Sequence, residues 1–435
     1  MNITKALLVT ITLVVTSCYF FPFVLAIFPI ANSKMILAAF GLVILFLNLA
    51  KKRHAGVDFD FISLTLWALL VSLITYAAIT VNNTPDDTFA IYFISMWVWL
   101  GGAYSVVMLI KYVHGEVTVP LVVNYLLAVC VMQCVLALIF NCYAAASEWY
   151  NSIFVGESYM GNVNGVRLHG IGCALDVAGF RFSVVICMIA FLLGCNREKA
   201  LVWIYIVSIC FISIVGNMIS RSTTIGSVIA CAFIIYITVF VKKDMELVTK
   251  LSVIVVLAVS ICIFLYTTNL AFKQNLRFGF EGFFSLAETG EWQTNSNDIL
   301  WRMVVWPDNL KTWLIGDGYM NNPADKFLDT YDPYFVGNFH GYYMETDIGY
   351  LRYIFYFGVV GLVVFCIFFI QTCRVLCRRF PTFKCMFLLV LVVNFIQWFK
   401  VSSDLFVVFA LFLCIHSNAN GCSIGKADVE NGNKS

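Results

Sequence analysis

Residues 339–365 read FHGYYMETDIGYLRYIFYFGVVGLVVF. The stretch ends in an apolar run, and four titratable residues gather at its lip: His340, Glu345, Asp347 and Arg352, the last already inside the run. An arginine held in hydrocarbon costs roughly 2.5–3.5 kcal/mol or more, so its position calls for a partner. If a helix begins near Glu345, then Glu345 and Arg352, seven positions apart, share a face. Asp347 then points about 200° away from Glu345. His340 lies on the loop before the helix.

Composition places this stretch in a membrane. The 435 residues are 61% hydrophobic and only 12% charged, with a mean hydropathy of +0.89. A soluble domain carries about 25% charged residues. The formal net charge of +2 gives no basis for nucleic-acid binding. The 16 cysteines fall mostly within apolar runs, such as Cys130, Cys134, Cys187, Cys210, Cys231, Cys262 and Cys414, and read as small hydrophobes. Cys373 and Cys377 lack a second cysteine pair or a histidine nearby, so no metal is expected there, and with no Gly-rich phosphate loop of the Walker type no nucleotide cofactor is expected either.

Runs of about 20 apolar residues mark candidate spans. Twelve occur, near 6–30, 35–50, 59–81, 88–110, 118–143, 173–195, 201–218, 223–241, 249–268, 347–370, 383–399 and 401–417. The expectation is an all-α polytopic membrane protein with about twelve transmembrane helices. Residues 1–268 hold the first nine and 347–417 the last three, with a cytoplasmic tail at 418–435. The first run is too long for a signal segment and has no A-x-A site, so it is read as retained.

The positive-inside rule orients the chain. With the N terminus in the cytoplasm, sixteen of the 27 basic residues fall inside, among them Lys51, Lys52, Arg53, Lys242, Lys243, Arg378 and Arg379. Two outer segments are not short: residues 144–172 and a long loop, 269–346, between helices nine and ten. Within that loop NDILWRMVVWPDNLKTWL (297–314) is amphipathic, with Asp298 as a candidate N-cap and Pro307 as a break or as the start of a second helix. It is expected to lie flat on the outer leaflet or to pack over a cavity.

The outer-side arginines are Arg167, Arg181, Arg221, Arg302 and Arg352. Each alone is explained by snorkelling to headgroups. Five gathered against the positive-inside tendency suit a polyanion such as a pyrophosphate, whose oxygens the guanidinium fork matches. One charge pair at ~4 Å is worth about 4 kcal/mol at an effective dielectric of ~20. Asp176 and Arg181, five apart, are only loosely co-facial.

Three stretches carry a family resemblance: ISRSTTIG (219–226), RMVVWPDNLKTWLIGDGY (302–319), which ends in the G-x-G of Gly316 and Gly318, and HGYYMETDIGYLRYIFYFGVVG (340–361) with its F-G-x-x-G of Phe357, Gly358 and Gly361. A fourth, RLHGIGCALDVAG (167–179), has an arginine followed by Gly179. In order, spacing and shared outer location they resemble the O-antigen and capsular polysaccharide polymerase (Wzy) family, kin of the O-antigen ligases. The resemblance implies a metal-independent glycosyltransferase of the bacterial inner membrane, with its site facing the periplasm. It would transfer a glycan from undecaprenyl pyrophosphate onto a lipid-linked repeat unit, alongside a flippase and a chain-length regulator. Arg167, Arg221, Arg302 and Arg352 would hold the departing pyrophosphate. His340, Glu345 and Asp347 compete as general base, with His340 or Glu345 on the loop side preferred, and Asp347 alternatively fixes Arg221 or Arg302. An O-antigen ligase and a lipid-linked sugar flippase or transporter are the alternatives. Trp301, Trp306, Tyr342 and Tyr343 are candidates for stacking on sugars or for interfacial anchoring.

Overall fold

A computed structural model describes residues 3–50, 59–154, 167–195, 199–242, 245–323 and 339–415. The expected tail at 418–435, the loop lysines Lys51 and Lys52 with Arg53, and the His340 side chain lie outside the described residues. Among those described, nine helices are long and apolar enough to cross a membrane, and the protein is membrane-embedded on that ground.

The long helices are α1 (Ile3–Phe20), α3 (Phe59–Asn82), α4 (Tyr92–His114), α5 (Val119–Cys142), α7 (Leu175–Cys195), α8 (Lys199–Ile219), α9 (Thr223–Ile235, extended by a π-helical turn Tyr236–Lys242), α10 (Met245–Thr268) and α15 (Gly349–Arg379). Three shorter apolar helices join them: α2 (Ser33–Ala50), α16 (Lys384–Gln397) and α17 (Phe406–Leu413). The first apolar run does not continue to residue 30. Helix α1 stops at Phe20 and a hairpin follows, β1 (Val24–Leu25) with β2 (Phe28–Asn32). Pro22 is the reason, since it forces the residue before it out of helical geometry.

Helix α7 is the central post, its middle buried on all sides from Ala178 to Gly194. Close packing around it and its neighbours uses small residues, as in other membrane interiors. A Cβ on Gly226 of α9 would lie 2.2 Å from the Ser183 Cα of α7. The α2–α4 contact is tighter still, for a Cβ on Gly41 would lie 1.8 Å from the Gly101 carbonyl oxygen. An aromatic nest made by Phe89, Tyr92, Tyr353, Phe357, Phe365 and Trp398 fills the space between α4, α15 and the end of α16. At the far end Asp60 of α3 takes Arg378 and Arg379 of α15 at 2.8 and 3.3 Å, which sets these two helices antiparallel.

The long loop is folded. It runs through α11 (Leu270–Gly279), α12 (Glu281–Thr289), α13 (Asn295–Arg302) and α14 (Leu310–Leu314), then β3 (Asn321–Pro323), which pairs with β4 (Phe339–Tyr342). Thr294, not Asp298, caps α13, because its hydroxyl accepts the Asn297 N–H. Pro307 ends no helix and begins none; Asn309 caps α14 instead, by accepting the Thr312 N–H at 2.8 Å.

Helix α15 is broken at Phe357 (φ −130°) and Gly358 (φ +70°). The break leaves carbonyls of the preceding turn open. The loop after α14 fills them: Asp317 N–H donates to Phe355 O at 2.5 Å and Gly318 N–H to Tyr356 O at 3.1 Å. Gly316 and Gly318 adopt φ of +84° and +76°, which only glycine takes without strain. The G-x-G and F-G-x-x-G stretches, forty residues apart in sequence, are thus one joint. Asn82 donates to Gly316 O at 3.0 Å, and Asp86 accepts the Met320 N–H at 2.8 Å, so the α3–α4 turn grips the same loop.

Gly41→Leu is expected to cost about 1–3 kcal/mol or more by overpacking. A lowered thermal midpoint of the detergent-purified protein checks it; an unchanged midpoint contradicts the α2–α4 contact.

Candidate functional site

The α8–α9 turn reads Ser220-Arg221-Ser222, and both serine hydroxyls donate to one carboxylate oxygen of Asp176, at 2.9 and 2.5 Å. Asp176 sits in the first turn of α7, and Lys400, from the link between α16 and α17, donates to the same oxygen at 2.9 Å. Gly179 makes the approach of the turn to α7 feasible, since a Cβ there would lie 2.7 Å from the Ser220 hydroxyl. With its flanking serines held down, Arg221 projects the other way, into a cavity of about 850 Å³.

That cavity lies between the α8–α9 turn and the folded loop, and Arg167, Arg221, Arg277, Phe278, Glu281 and Asp298 help to line it. Arg221 and Arg167 both lie against the Phe278 ring, at 4.3 and 4.9 Å from its centre. Cation–π contact of this kind contributes about 0.5–2 kcal/mol. Arg221 also pairs with Glu281. Burial pushes the Arg221 pKa down and the neighbouring Arg167 charge adds to that, against Glu281 and Asp176. The Leu168 N–H donates to Met218 O at 3.2 Å, which ties the Arg167 segment to the end of α8. Arg167 Nε has no hydrogen-bond partner among the described residues.

Beside this cavity the β4–α15 connection makes a second cluster. Met344 and Glu345 both take left-handed backbone, φ +54° and +57°, and the turn throws Glu345 outward, where it is exposed. Helix α15 begins only at Gly349, so the expected shared face of Glu345 and Arg352 does not form. Asp347 turns inward instead, its carboxylate 3.6 Å from Arg352. Arg352 Nη2 also donates to Met320 O and Asn321 Oδ1, each at 2.9 Å, and the guanidinium lies 4.3 Å from the Tyr342 ring centre. Burial pushes the Asp347 pKa up to about 7, helped by the Asp176 charge and opposed by Arg352 and Lys400. Burial outweighs Arg352 because that guanidinium is shared with two other acceptors. Burial and the Asp347 charge also push the Tyr342 phenol up to about 12.

The structure therefore brings Arg167 with Arg221, and Arg352 with Asp347, into two adjoining clusters joined by the charges of Asp176 and Lys400. Arg302 ends α13 exposed and joins neither. Asp347 pairs with Arg352, not with Arg221 or Arg302. Asp176 pairs with Lys400 rather than Arg181, which faces the opposite side of α7 and donates to Phe20 O at 2.5 Å. The backbone of His340 lies in β4. The loop tryptophans do not act together: Trp301 is exposed, whereas Trp306 stacks on Trp313 at 6.0 Å. Tyr343 stacks on Tyr319 and donates to Asp317 at 3.3 Å.

Sequence reading missed Lys400, Glu281 and Asp86. Lys400 sits where the last two apolar runs nearly touch and is absorbed into them; its one signal is the polar KVSSD that follows Phe399. Among the described residues no group of three or more His, Cys, Asp or Glu side chains is placed to hold a metal. No protein family, no curated protein and no solved structure matches the chain. The fold and site define a helical membrane protein with a half-open cavity at one end, lined by three arginines, Arg167, Arg221 and Arg277, and three carboxylates, Glu281, Glu288 and Asp298.

Asp347 gives a stability prediction with a definite sign. Its folded pKa of about 7 lies above the ordinary carboxylate value. Between roughly pH 4 and 7 the folded chain holds a proton that the unfolded chain has released, so stability falls as pH rises through that window and levels off above it. Asp347→Asn is expected to flatten this part of the profile, measured as thermal midpoint against pH. An unaltered slope would show that another group titrates there.

Proposed function

We propose that the chain is a polysaccharide polymerase of the bacterial inner membrane, with about twelve transmembrane helices, both termini cytoplasmic and the cavity facing the periplasm. On this reading the shorter apolar helices α2 and α16 are two further spans, and the eight-residue α17 is part of the last. The observation that carries the reading is the pair Arg167 and Arg221, set on one phenylalanine in a half-open cavity at the end of the helices where the long loop folds. Fixed guanidinium groups in a site partly shielded from water stabilise charge that develops on a leaving diphosphate. The resemblance to the O-antigen and capsule polymerases names the carrier as undecaprenyl pyrophosphate.

The chemistry is a displacement at the anomeric carbon of the growing chain. A hydroxyl of the lipid-linked repeat unit attacks that carbon. The bond from carbon to the pyrophosphate oxygen breaks, and its electron pair leaves with the diphosphate. The hydroxyl proton passes to a general base. Asp347 is best placed for this task, since it faces inward and titrates near neutrality, while Glu345 points to solvent. Arg352 holds Asp347 and the β3 segment together and so fixes the base within the neighbouring cluster. Glu281 occupies Arg221 until an anion replaces it.

Arg221→Ala and Arg167→Ala are expected to lower polymer formation roughly 10²–10³-fold, whereas exposed Arg302→Ala retains most of it. The measurement is a gel of surface polysaccharide from cells carrying each variant at equal protein level. A normal ladder from Arg221→Ala and Arg167→Ala would remove the arginines from the reaction. In a deletion strain, single lipid-linked repeats are expected to accumulate; full-length chains stranded on the carrier would point to a ligase instead.

Turnover is expected to rise with pH up to about 7 and then level off, as the Asp347 carboxylate becomes available. Asp347→Asn removes this limb along with most of the activity, and a pH profile of the purified protein reads both.

A further inference from the structure

A second set of charges lies at the same end of the helices, apart from the Arg221 cavity. Lys34 stands in the first turn of α2, Arg181 two turns into α7, and Asp404 just before α17. Lys34 Nζ is 4.1 Å from the centre of the Trp99 ring, and the Arg181 guanidinium is 6.0 Å from the same point. Two cations therefore converge on one indole. Arg181 is only 7% exposed; its Nη1 donates to Phe20 O, and its Nε has no acceptor among the described residues. Among the described residues the Lys34 ammonium meets the Trp99 ring and no hydrogen-bond acceptor.

One carboxylate answers them. Asp404 lies close enough to feel both charges, but its oxygens are engaged elsewhere, accepting from the Phe406 N–H at 2.9 Å and the Tyr92 hydroxyl at 3.5 Å. Two cations against one anion leave a unit of positive charge in surroundings of low polarity, which is costly unless a further anion completes the group. Both cations carry donors without acceptors, so the missing partner is an oxyanion. Tyr353 links the two regions, lying within reach of the charges of both Asp404 and Arg352.

We propose that Lys34 and Arg181, both set against the Trp99 ring, form a second oxyanion-binding site, which takes a carboxylate or phosphate group borne by the glycan substrates. Two carriers fit this chemistry: an acidic sugar within the repeat unit, or the phosphate of the second lipid-linked substrate that a polymerase must hold. The choice of carrier rests on the polymerase reading; the affinity for an anion does not. Asp404 offsets at most part of this positive charge, and its oxygens stay with the Phe406 N–H and the Tyr92 hydroxyl, which leaves the cations' donors to the ligand.

The test uses the full-length protein in detergent, titrated with glucuronate, with methyl phosphate and with uncharged glucose, and followed by tryptophan fluorescence and calorimetry. At least one anion is expected to bind saturably and glucose not at all. Lys34→Gln should weaken anion binding roughly tenfold or more, Lys34→Arg should restore it, and the exposed Arg302→Gln should leave it unchanged. Trp99→Phe should keep the calorimetric binding but lose the fluorescence change, a check that does not depend on removing a charge. Counting only binding that Lys34→Gln weakens, glucuronate alone marks an acidic sugar, methyl phosphate alone marks the lipid carrier, and both together mark a site that reads charge only. The proposal is overturned if neither anion binds, if glucose binds as well as they do, or if Arg221→Gln rather than Lys34→Gln removes the binding. Because the readout is anion binding, a failed gel test of the polymerase reading would leave this result standing on its own.

Discussion

A backbone carbonyl buried away from water must find a donor, and the break in α15 is where this requirement shapes the molecule most. At Phe357 and Gly358 the helix gives up its own hydrogen bonds. Non-helical backbone at such a place is tolerated only when other protein groups satisfy it. The donors are the Asp317 and Gly318 amides, so the long loop is joined to α15 by main-chain bonds. A Cβ on Gly358 would fall 2.1 Å from the Leu314 carbonyl oxygen, so no larger residue permits the joint. Asp86 and Asn82 then lock the loop to α3 and α4, and Arg352 closes the join by donating to Met320 and Asn321.

The charges follow a comparable logic. Asp176 receives two serine hydroxyls and an ammonium, and this single carboxylate orders the turn that presents Arg221. Arg352 is as much a structural clamp as a cation, whereas Arg167 and Arg221 face a cavity. The same residue type, placed by one sequence at four sites, performs different tasks because the acceptors around it differ. Arg302 has none of these neighbours and stays at the surface.

Much of the helical layout is legible in the sequence, because hydropathy over about twenty residues is a local property. Helices α3, α5, α7, α8 and α9 begin and end within a few residues of their apolar runs. The errors arise where a local signal competes with a distant contact. Pro22 cuts the first run short, a local effect open to view. The late start of α15 was not, since it depends on Asp347 reaching Arg352 and on β4 pairing with β3. The union of the G-x-G and F-G-x-x-G stretches needs Gly316 beside Tyr356, a proximity that no periodicity encodes. Lys400 was hidden because one cation among apolar neighbours barely alters the hydropathy of a run, although its partner Asp176 stood in a noted stretch.

The two anchorages of the folded loop have a mechanical corollary. Helix α11 rests on the end of α8, where Gly279 sits against the Asn217 backbone, while the loop after α14 is riveted to α15 and α3. The roof therefore spans two groups of helices instead of hanging from one. Its aperture is governed by how far α8 and α15 stand apart, and a sideways pressure on either helix from the surrounding lipid would be transmitted to the chamber without any part of the loop having to unfold.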